Sequence, residues 1–106
     1  MLEIETSNNE SVSHIKLTGD LDIATVEKFR SSTENIPQST AEVCIELTGL
    51  KFLDSTGAGS LVQVMNQIIA QDIVVKVVGI PKKVYEVLDV LGIPELMGEE
   101  NFECLK

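Results

Sequence analysis

The fold depends on residues 47–59, LTGLKFLDSTGAG, where an apolar segment ends and an amphipathic one begins. Just upstream, residues 43–47 are β-branched and apolar, which indicates a buried strand. Downstream, the sequence predicts a helix over residues 56–70. Its core face is given by apolar residues at spacings of three and four: Ala58, Leu61, Val62, Met65, Ile68 and Ile69.

The turn between them places a hydroxyl at the start of the predicted helix. Asp54 or Ser55 is the predicted N-cap, because a short oxygen-bearing side chain accepts hydrogen bonds from the free N–H groups of the first turn. A helix N-terminus also stabilises an anion, so the fold is expected to tolerate a phosphate on Ser55. Gly57 and Gly59 add little bulk and are expected to let a partner approach closely, and Gly57→Leu is expected to fold. From the residues alone, the other interpretation is a well-capped helix start and nothing more.

The rest of the chain alternates between strand and helix patterns. Residues 2–5 and 12–17, on either side of the turn residues 7–10, predict an antiparallel hairpin. Residues 19–22, GDLD, are predicted to break the second strand. Periodicity predicts five further segments: a helix from about residue 25, a strand over 73–78, a helix over 84–91, a helical turn over 93–97 and a short strand or ordered tail over 102–105.

This order of elements predicts a single α/β domain over residues 1–106. Strands that alternate with helices imply right-handed crossovers, hence a mostly parallel sheet with the hairpin as its antiparallel edge and helices packed on it. Residues 73–78, IVVKVV, predict a parallel strand covered on both sides. Loops that follow parallel strands gather at one end of the sheet, so residues 19–22 are expected to lie beside residues 54–57.

Composition excludes several classes of function. Lys and Arg total 8 against 17 for Asp and Glu, a net charge of −9, so binding to nucleic acid is not expected. No apolar run approaches the roughly 20 residues that span a bilayer, and the N-terminus does not have the pattern of a signal peptide. We therefore expect a cytoplasmic protein without membrane insertion. Cys44, in the central strand, is interpreted as a small core residue, and both Cys44 and Cys104 as reduced and structural. His14 is interpreted as a residue on a solvated strand face.

Residues 54–57, DSTG, after a strand and Phe52-Leu53, closely resemble the signature of the STAS domain, and specifically that of small bacterial anti-sigma factor antagonists. The resemblance covers nearly the whole chain and implies strands in sequential βα order. Ala58 departs from the family, in which a larger aliphatic residue is common, and so does Gln71-Asp72, where glycine is frequent. The other segments that carry the resemblance are residues 19–22, 24–25, 75–79, 84–88 and 91–93.

The resemblance implies a regulatory binding protein. In that family the serine of this motif is phosphorylated by a partner kinase that is also an anti-sigma factor; here it is Ser55, with Thr56 as second choice. The unphosphorylated chain would bind the kinase and free a sigma factor, and a PP2C-type phosphatase would reset it. The chain itself would need no cofactor or metal, since ATP and Mg²⁺ belong to the kinase, and alone it would be a monomer or weak dimer. The predicted partner-binding residues are Asp20, Leu21, Asp22, Asp54, Ser55, Thr56, Gly57, Ala58 and Gly59. Asp20 and Asp22 are included for their predicted position, and the other interpretation is that they only form the turn.

Other functions need different features. An enzyme is not expected, because Leu53 replaces the first glycine of a Gly-x-Ser-x-Gly elbow and no phosphate-binding Gly-x-x-x-x-Gly-Lys loop is present. A receiver-like domain would instead be phosphorylated on Asp54, with Asp20 and Asp22 binding Mg²⁺. A third possibility keeps the STAS fold but makes the chain an unphosphorylated adaptor, as in some transporter-associated members of the family.

Overall fold

Five strands and four α-helices make up residues 1–105, the part of the chain that the computed structural model describes. A 3₁₀ turn, Glu99–Asn101, precedes the last strand. The strands are β1 (Leu2–Asn9), β2 (Val12–Leu21), β3 (Glu42–Leu53), β4 (Val74–Ile80) and β5 (Phe102–Cys104). The helices are α1 (Val26–Ser32), α2 (Ser55–Ile69), α3 (Lys82–Val90) and α4 (Ile93–Met97).

The strands form one sheet in the order β1-β2-β3-β4-β5, the same order as in the chain. β1 is antiparallel to β2, and every other neighbouring pair is parallel. The prediction of a mostly parallel α/β sheet with an antiparallel edge strand and sequential order is therefore confirmed. The carboxyl ends of β2, β3 and β4 lie at the same edge, and this edge carries the candidate site.

One face of the sheet carries the core. Burial alternates along the parallel strands: Val75 and Val77 are buried in β4, whereas Val74 and Lys76 are exposed. Helices α1, α2 and α3 contribute to the same hydrophobic cluster as the buried strand residues. The prediction that residues 73–78 form a strand covered on both sides is therefore wrong. A β-branched residue is also favourable on a wet strand face, so a continuous Val run does not prove two-sided burial.

Helix α2 packs on this face with residues at helical spacing. Ala58, Leu61, Met65 and Ile68 are buried as predicted. Val64 is also buried although it was not among the predicted core residues, whereas Ile69 is 45% exposed. The buried stripe is thus rotated slightly from the predicted one.

The first three strands are longer than predicted, and β4 runs over Val74–Ile80 instead of residues 73–78. β1 extends to Asn9, and the hairpin turn consists of Glu10 and Ser11, with Glu10 in the left-handed region at φ 56°. β2 continues through residues 19–21 instead of ending there, and β3 extends to Leu53. Gly19, at φ 108°, lies at a shift in the register between β2 and β3. The strand bends there, and its pairing with β3 then continues.

The open face of the sheet holds the two residues singled out for their chemistry. His14 is exposed there, as predicted, and lies in register with Cys44. Cys44 is half-buried on this face, so its assignment to the core is wrong: its neighbours in β3, Val43 and Ile45, point into the core instead. Cys44 and Cys104 are both free thiols, as expected.

Candidate functional site

Asp54 is the N-cap of α2. Its backbone is extended, at φ −102° and ψ 179°, and its Oδ1 accepts a hydrogen bond of 2.7 Å from the backbone N–H of Gly57. The Asp54 carbonyl oxygen accepts from the backbone N–H of Ala58 at 2.9 Å, which closes the first helical turn. Of the two predicted capping residues, the structure selects Asp54 and leaves Ser55 as the first residue of the helix.

The same carboxylate reaches the loop that follows β2. Oδ2 of Asp54 accepts from the backbone N–H of Ile23 at 3.2 Å, and the Asp54 backbone N–H donates to the Leu21 carbonyl oxygen at 3.4 Å. The predicted proximity of residues 19–22 to residues 54–57 is therefore confirmed at its Leu21 end. One side chain thus joins the two loops that form this edge of the sheet.

The loop after β2 is ordered by its own short polar side chains. Oδ1 of Asp22 accepts from the Ala24 backbone N–H at 3.0 Å. The Thr25 hydroxyl donates to the Asp20 carbonyl oxygen at 2.9 Å and accepts from the Asp22 backbone N–H at 3.0 Å. These are turn-forming hydrogen bonds, so Asp22 has a structural role here. The Asp20 carboxylate instead lies 3.4 Å from the amino group of Met1 and is partly exposed.

Ser55 and Thr56 are exposed in the first turn of α2. Within residues 1–105, neither hydroxyl has a hydrogen-bond partner. Their backbone N–H groups belong to the first helical turn, where no intrahelical acceptor is available. The Ser55 hydroxyl is therefore free, accessible and placed at the positive end of a 15-residue helix.

Three of the predicted partner-binding residues are buried: Leu21, Gly57 and Ala58. A Cβ on Gly57 would overlap the Leu21 carbonyl oxygen and lie 2.7 Å from its carbonyl carbon. The expectation that Gly57→Leu folds is therefore wrong, because the absence of a side chain lets the end of β2 pass against α2. Gly59 is exposed, and apart from its chain neighbours and the backbone of its own helix, no atom of residues 1–105 lies within 4 Å of its Cβ position. It is therefore the glycine that leaves room for a partner to approach closely.

An apolar depression adjoins Ser55, which sequence reasoning missed. Its volume is about 370 Å³, and α3 forms its other wall with Lys83, Glu86, Val87, Val90 and Leu91. Val90 is 85% exposed. Two more exposed apolar side chains belong to segments that adjoin Ser55: Ile23, in the loop whose backbone bonds Asp54, is 74% exposed, and Phe52, near the end of β3, is 52% exposed. One sequence feature could have indicated this surface: three apolar residues fall outside the predicted core faces, namely Ile23, Phe52 and Val90.

The receiver-like alternative is not supported by the geometry. A receiver sheet is parallel throughout with order 2-1-3-4-5, whereas this sheet starts with an antiparallel hairpin and follows chain order. Across residues 1–105, no group of three or more His, Cys, Asp or Glu side chains is arranged to hold a metal ion. Asp20 contacts Met1 and Asp22 caps its own turn, so the two do not form an acidic pair.

The comparison with protein families decides the identity. The model of the STAS domain matches residues 3–103. The chain belongs to the STAS domain family. Its relatives include the anti-sigma-B factor antagonist of Staphylococcus epidermidis, 27% identical over 97 residues that cover 91% of this chain and 90% of the relative.

Solved STAS structures share the fold. The Bacillus cell fate determinant SpoIIAA, an anti-sigma factor antagonist, superposes in its unphosphorylated form with a TM-score of 0.76 at 20% identity, covering 100% of this chain and 89% of that one. A structure of its phosphorylated form is also similar, with a TM-score of 0.71 at 18% identity and coverages of 100% and 92%. A sulfate transporter family protein from Wolinella succinogenes gives 0.79 at 16% identity, with coverages of 88% and 76%.

In the described part of this STAS chain, every helix is too short or too polar to cross a membrane.

Proposed function

We propose that this STAS protein is an anti-sigma factor antagonist controlled by phosphorylation of Ser55. Unphosphorylated, it binds a serine kinase that is also an anti-sigma factor, and a sigma factor is released. Phosphorylated, it dissociates, and a PP2C-type phosphatase restores it. The observation that carries this proposal is the Ser55 hydroxyl, exposed and without a partner in residues 1–105, at the first position of α2. The curated relatives named anti-sigma-B factor antagonist support the same function.

The surface around Ser55 suits a protein partner. Val90 on α3 lines the depression with Ser55, and two further exposed apolar residues belong to adjoining segments: Ile23, whose backbone bonds Asp54, and Phe52, near the end of β3. Apolar side chains beside a central polar group are typical of the buried centre of an interface. Asp20, Asp54, Thr56 and Gly59 complete the proposed docking surface, while Leu21, Asp22, Gly57 and Ala58 support it from behind.

The proposed switch is local and electrostatic. A phosphoryl group adds about −1.5 to −2 charge at neutral pH, and the start of α2 accommodates an anion. The partner, by contrast, would have to desolvate that anion within a close contact. Uncompensated charge buried in an interface costs several kcal/mol, which is enough to release the complex. We place this reaction in the cytoplasm, where ATP and the kinase are available.

The first test is the state of Ser55 in the native host. The intact mass of the purified protein should show a species heavier by one phosphoryl group that disappears after phosphatase treatment. Ser55→Ala should abolish this species, whereas Thr56→Ala should keep it. A phosphate that is stable in acid assigns the modification to a hydroxyl, and sensitivity to hydroxylamine would assign it to the Asp54 carboxylate and overturn the proposal.

The second test is binding to the purified anti-sigma factor kinase, measured by calorimetry. Ser55→Ala should bind as tightly as the unphosphorylated protein and resist modification. Ser55→Asp should fold and bind poorly. Equal and tight binding by both variants, together with an unmodified Ser55 in the host, would leave the unphosphorylated adaptor as the better explanation. The similarity to STAS structures of transporter family proteins makes this adaptor role the second candidate function.

A further inference from the structure

Two lysines occupy the first turn of α3, a position that electrostatics disfavours. Lys82 and Lys83 follow the N-cap Pro81, and this first turn contains no acidic residue. The positive end of a helix dipole repels cations, so acidic side chains are preferred there. Within residues 1–105, neither lysine forms a salt bridge. Each lies N-terminal to Glu86, the less favourable order for a helical ion pair. Local stability therefore does not explain them.

Lys83 differs from Lys82 in what it faces. It lines the depression of about 370 Å³ that Ser55 also lines, and Lys82 does not. Of the residues 1–105 that line the depression, it is the sole cationic one, in a chain with 8 Lys and Arg against 17 Asp and Glu. Residues that break a local rule are often retained for function.

We propose that Lys83 is the intramolecular counter-charge for the phosphoryl group on Ser55. This inference rests on the proposed function, because it assigns a role in the phosphorylated state. The ammonium group of Lys83, on a flexible four-carbon stem, pairs with the phosphoryl oxygens across the depression. In the unphosphorylated chain the ammonium is solvated and the apolar wall of α3 is open to the partner. In the phosphorylated chain the ion pair spans the depression and covers part of that wall.

Three carboxylates near Ser55 disfavour a phosphoryl group there. The Asp54 carboxylate is adjacent in sequence, Asp22 lies in the neighbouring loop, and Glu86 lines the depression with Lys83. All three disfavour a dianionic phosphate. The experiment therefore compares variants in which these carboxylates are unchanged and a single lysine is removed.

The test uses the full chain with phosphoserine incorporated at position 55 during translation, so that no kinase is required. The second ionisation of the phosphate is followed by ³¹P NMR as a function of pH. An ordinary phosphoserine has this pKa near about 6. An exposed ion pair to Lys83 favours the dianion, so Lys83→Met should raise the pKa of the phosphate by about 0.2–0.7. Lys83→Gln should do the same.

Lys82→Met is the matched control, because it changes the net charge equally from the adjacent position. It should leave the phosphate pKa close to that of the unsubstituted chain. In roughly 1 M salt, where the Debye length is about 3 Å, the effect of Lys83→Met should shrink. The proposal is overturned if Lys83→Met leaves the titration unchanged or if Lys82→Met shifts it as far. Because phosphoserine is built in, this result is independent of whether the host phosphorylates Ser55.

Discussion

The Asp54 carboxylate accepts a hydrogen bond from the backbone N–H of Ile23 at 3.2 Å, which links the start of α2 to the loop after β2. Its other oxygen caps the helix through Gly57. Asp54→Ala removes both hydrogen bonds and should lower the free energy of unfolding by about 1–2 kcal/mol. Urea unfolding measures this loss.

Asp54→Asn provides the matched control, because Asn caps helices about as well as Asp. It should retain most of the stability. Asn keeps one acceptor oxygen for the helix cap but presents an NH2 group in place of the other, so the hydrogen bond from Ile23 is lost in both variants. Amide hydrogen exchange at Ile23 should therefore accelerate in both Asp54→Ala and Asp54→Asn. An Ile23 exchange rate that is the same in both variants as in the unsubstituted protein would show that the loop holds its position without the carboxylate.

The two glycines of α2 should respond oppositely to the same substitution. Gly57→Ala forces a methyl group into the Leu21 carbonyl and should cost about 1–3 kcal/mol of stability. Gly59→Ala meets no atom within 4 Å and should gain about 0.5–1 kcal/mol through better helix propensity. Thermal unfolding of both variants checks the pair. A Gly57→Ala protein as stable as Gly59→Ala would contradict the close approach of β2 to α2.

A buried polar cluster ties the hairpin to the segment before β3. The Ser13 hydroxyl lies 2.8 Å from Oδ1 of Asn8 and 3.1 Å from the hydroxyl of Thr40, and both Ser13 and Thr40 are buried. Ser13→Ala leaves the Thr40 hydroxyl unpaired and should cost about 1–3 kcal/mol. The double variant Ser13→Ala, Thr40→Val should be less destabilised than the sum of the single variants. Strict additivity in urea unfolding would show that the two hydroxyls are energetically independent.

Stability should fall at alkaline pH partly through Cys44. Burial, and after it the negative charge of neighbouring glutamates, raises the pKa of this thiol above its ordinary value of 9.0. The unfolded chain therefore loses the thiol proton first as the pH rises past about 9, and the stability contributed by the protonated thiol is lost. Cys44→Ser should lose less stability between about pH 8 and pH 10 than the unsubstituted protein. Cys104→Ser, measured by the same urea titrations under reducing conditions, should behave like the unsubstituted protein.

Val90 should contribute to binding and not to stability. It is 85% exposed and lines the depression beside Ser55, so Val90→Ser should leave the thermal midpoint nearly unchanged. Its affinity for the anti-sigma factor kinase should fall about tenfold, as for a moderate interface residue. Leu96→Ser is the control, since Leu96 is 74% exposed but does not line the depression. Equal affinities for these two variants would remove α3 from the docking surface.

The element order and the helix cap could be predicted because they depend on local signals. Apolar spacing predicted α2 and α3, and short oxygen-bearing residues before a helical pattern narrowed the cap to Asp54 or Ser55, of which Asp54 is the cap. The lengths of β2 and β3 could not be predicted in this way. Gly19 normally favours a turn, and only its neighbours in the sheet show that the strand bends there and continues.

The exposure of the apolar residues near Ser55 and the burial of Gly57 could not be predicted, because both depend on how distant segments pack together. Periodicity identifies residues that face a core, so it says nothing about Ile23 or Val90, which face solvent. Gly57 was expected to be open because glycine is small. Its true constraint comes from Leu21, 36 positions earlier in the chain, and it becomes visible only when both segments are placed.

The agreement between strand order and chain order also has a kinetic consequence. The β1–β2 hairpin has a two-residue turn and can form within about 1–10 μs, and it is synthesised before the other strands of this sheet. Each later strand then adds to the free edge left by its predecessor, so no strand has to enter between two that are already paired. Each new strand therefore requires the closure of only one crossover connection. Contacting residues thus stay close in sequence for a parallel sheet. Folding should therefore proceed as growth in one direction, from the hairpin towards β5.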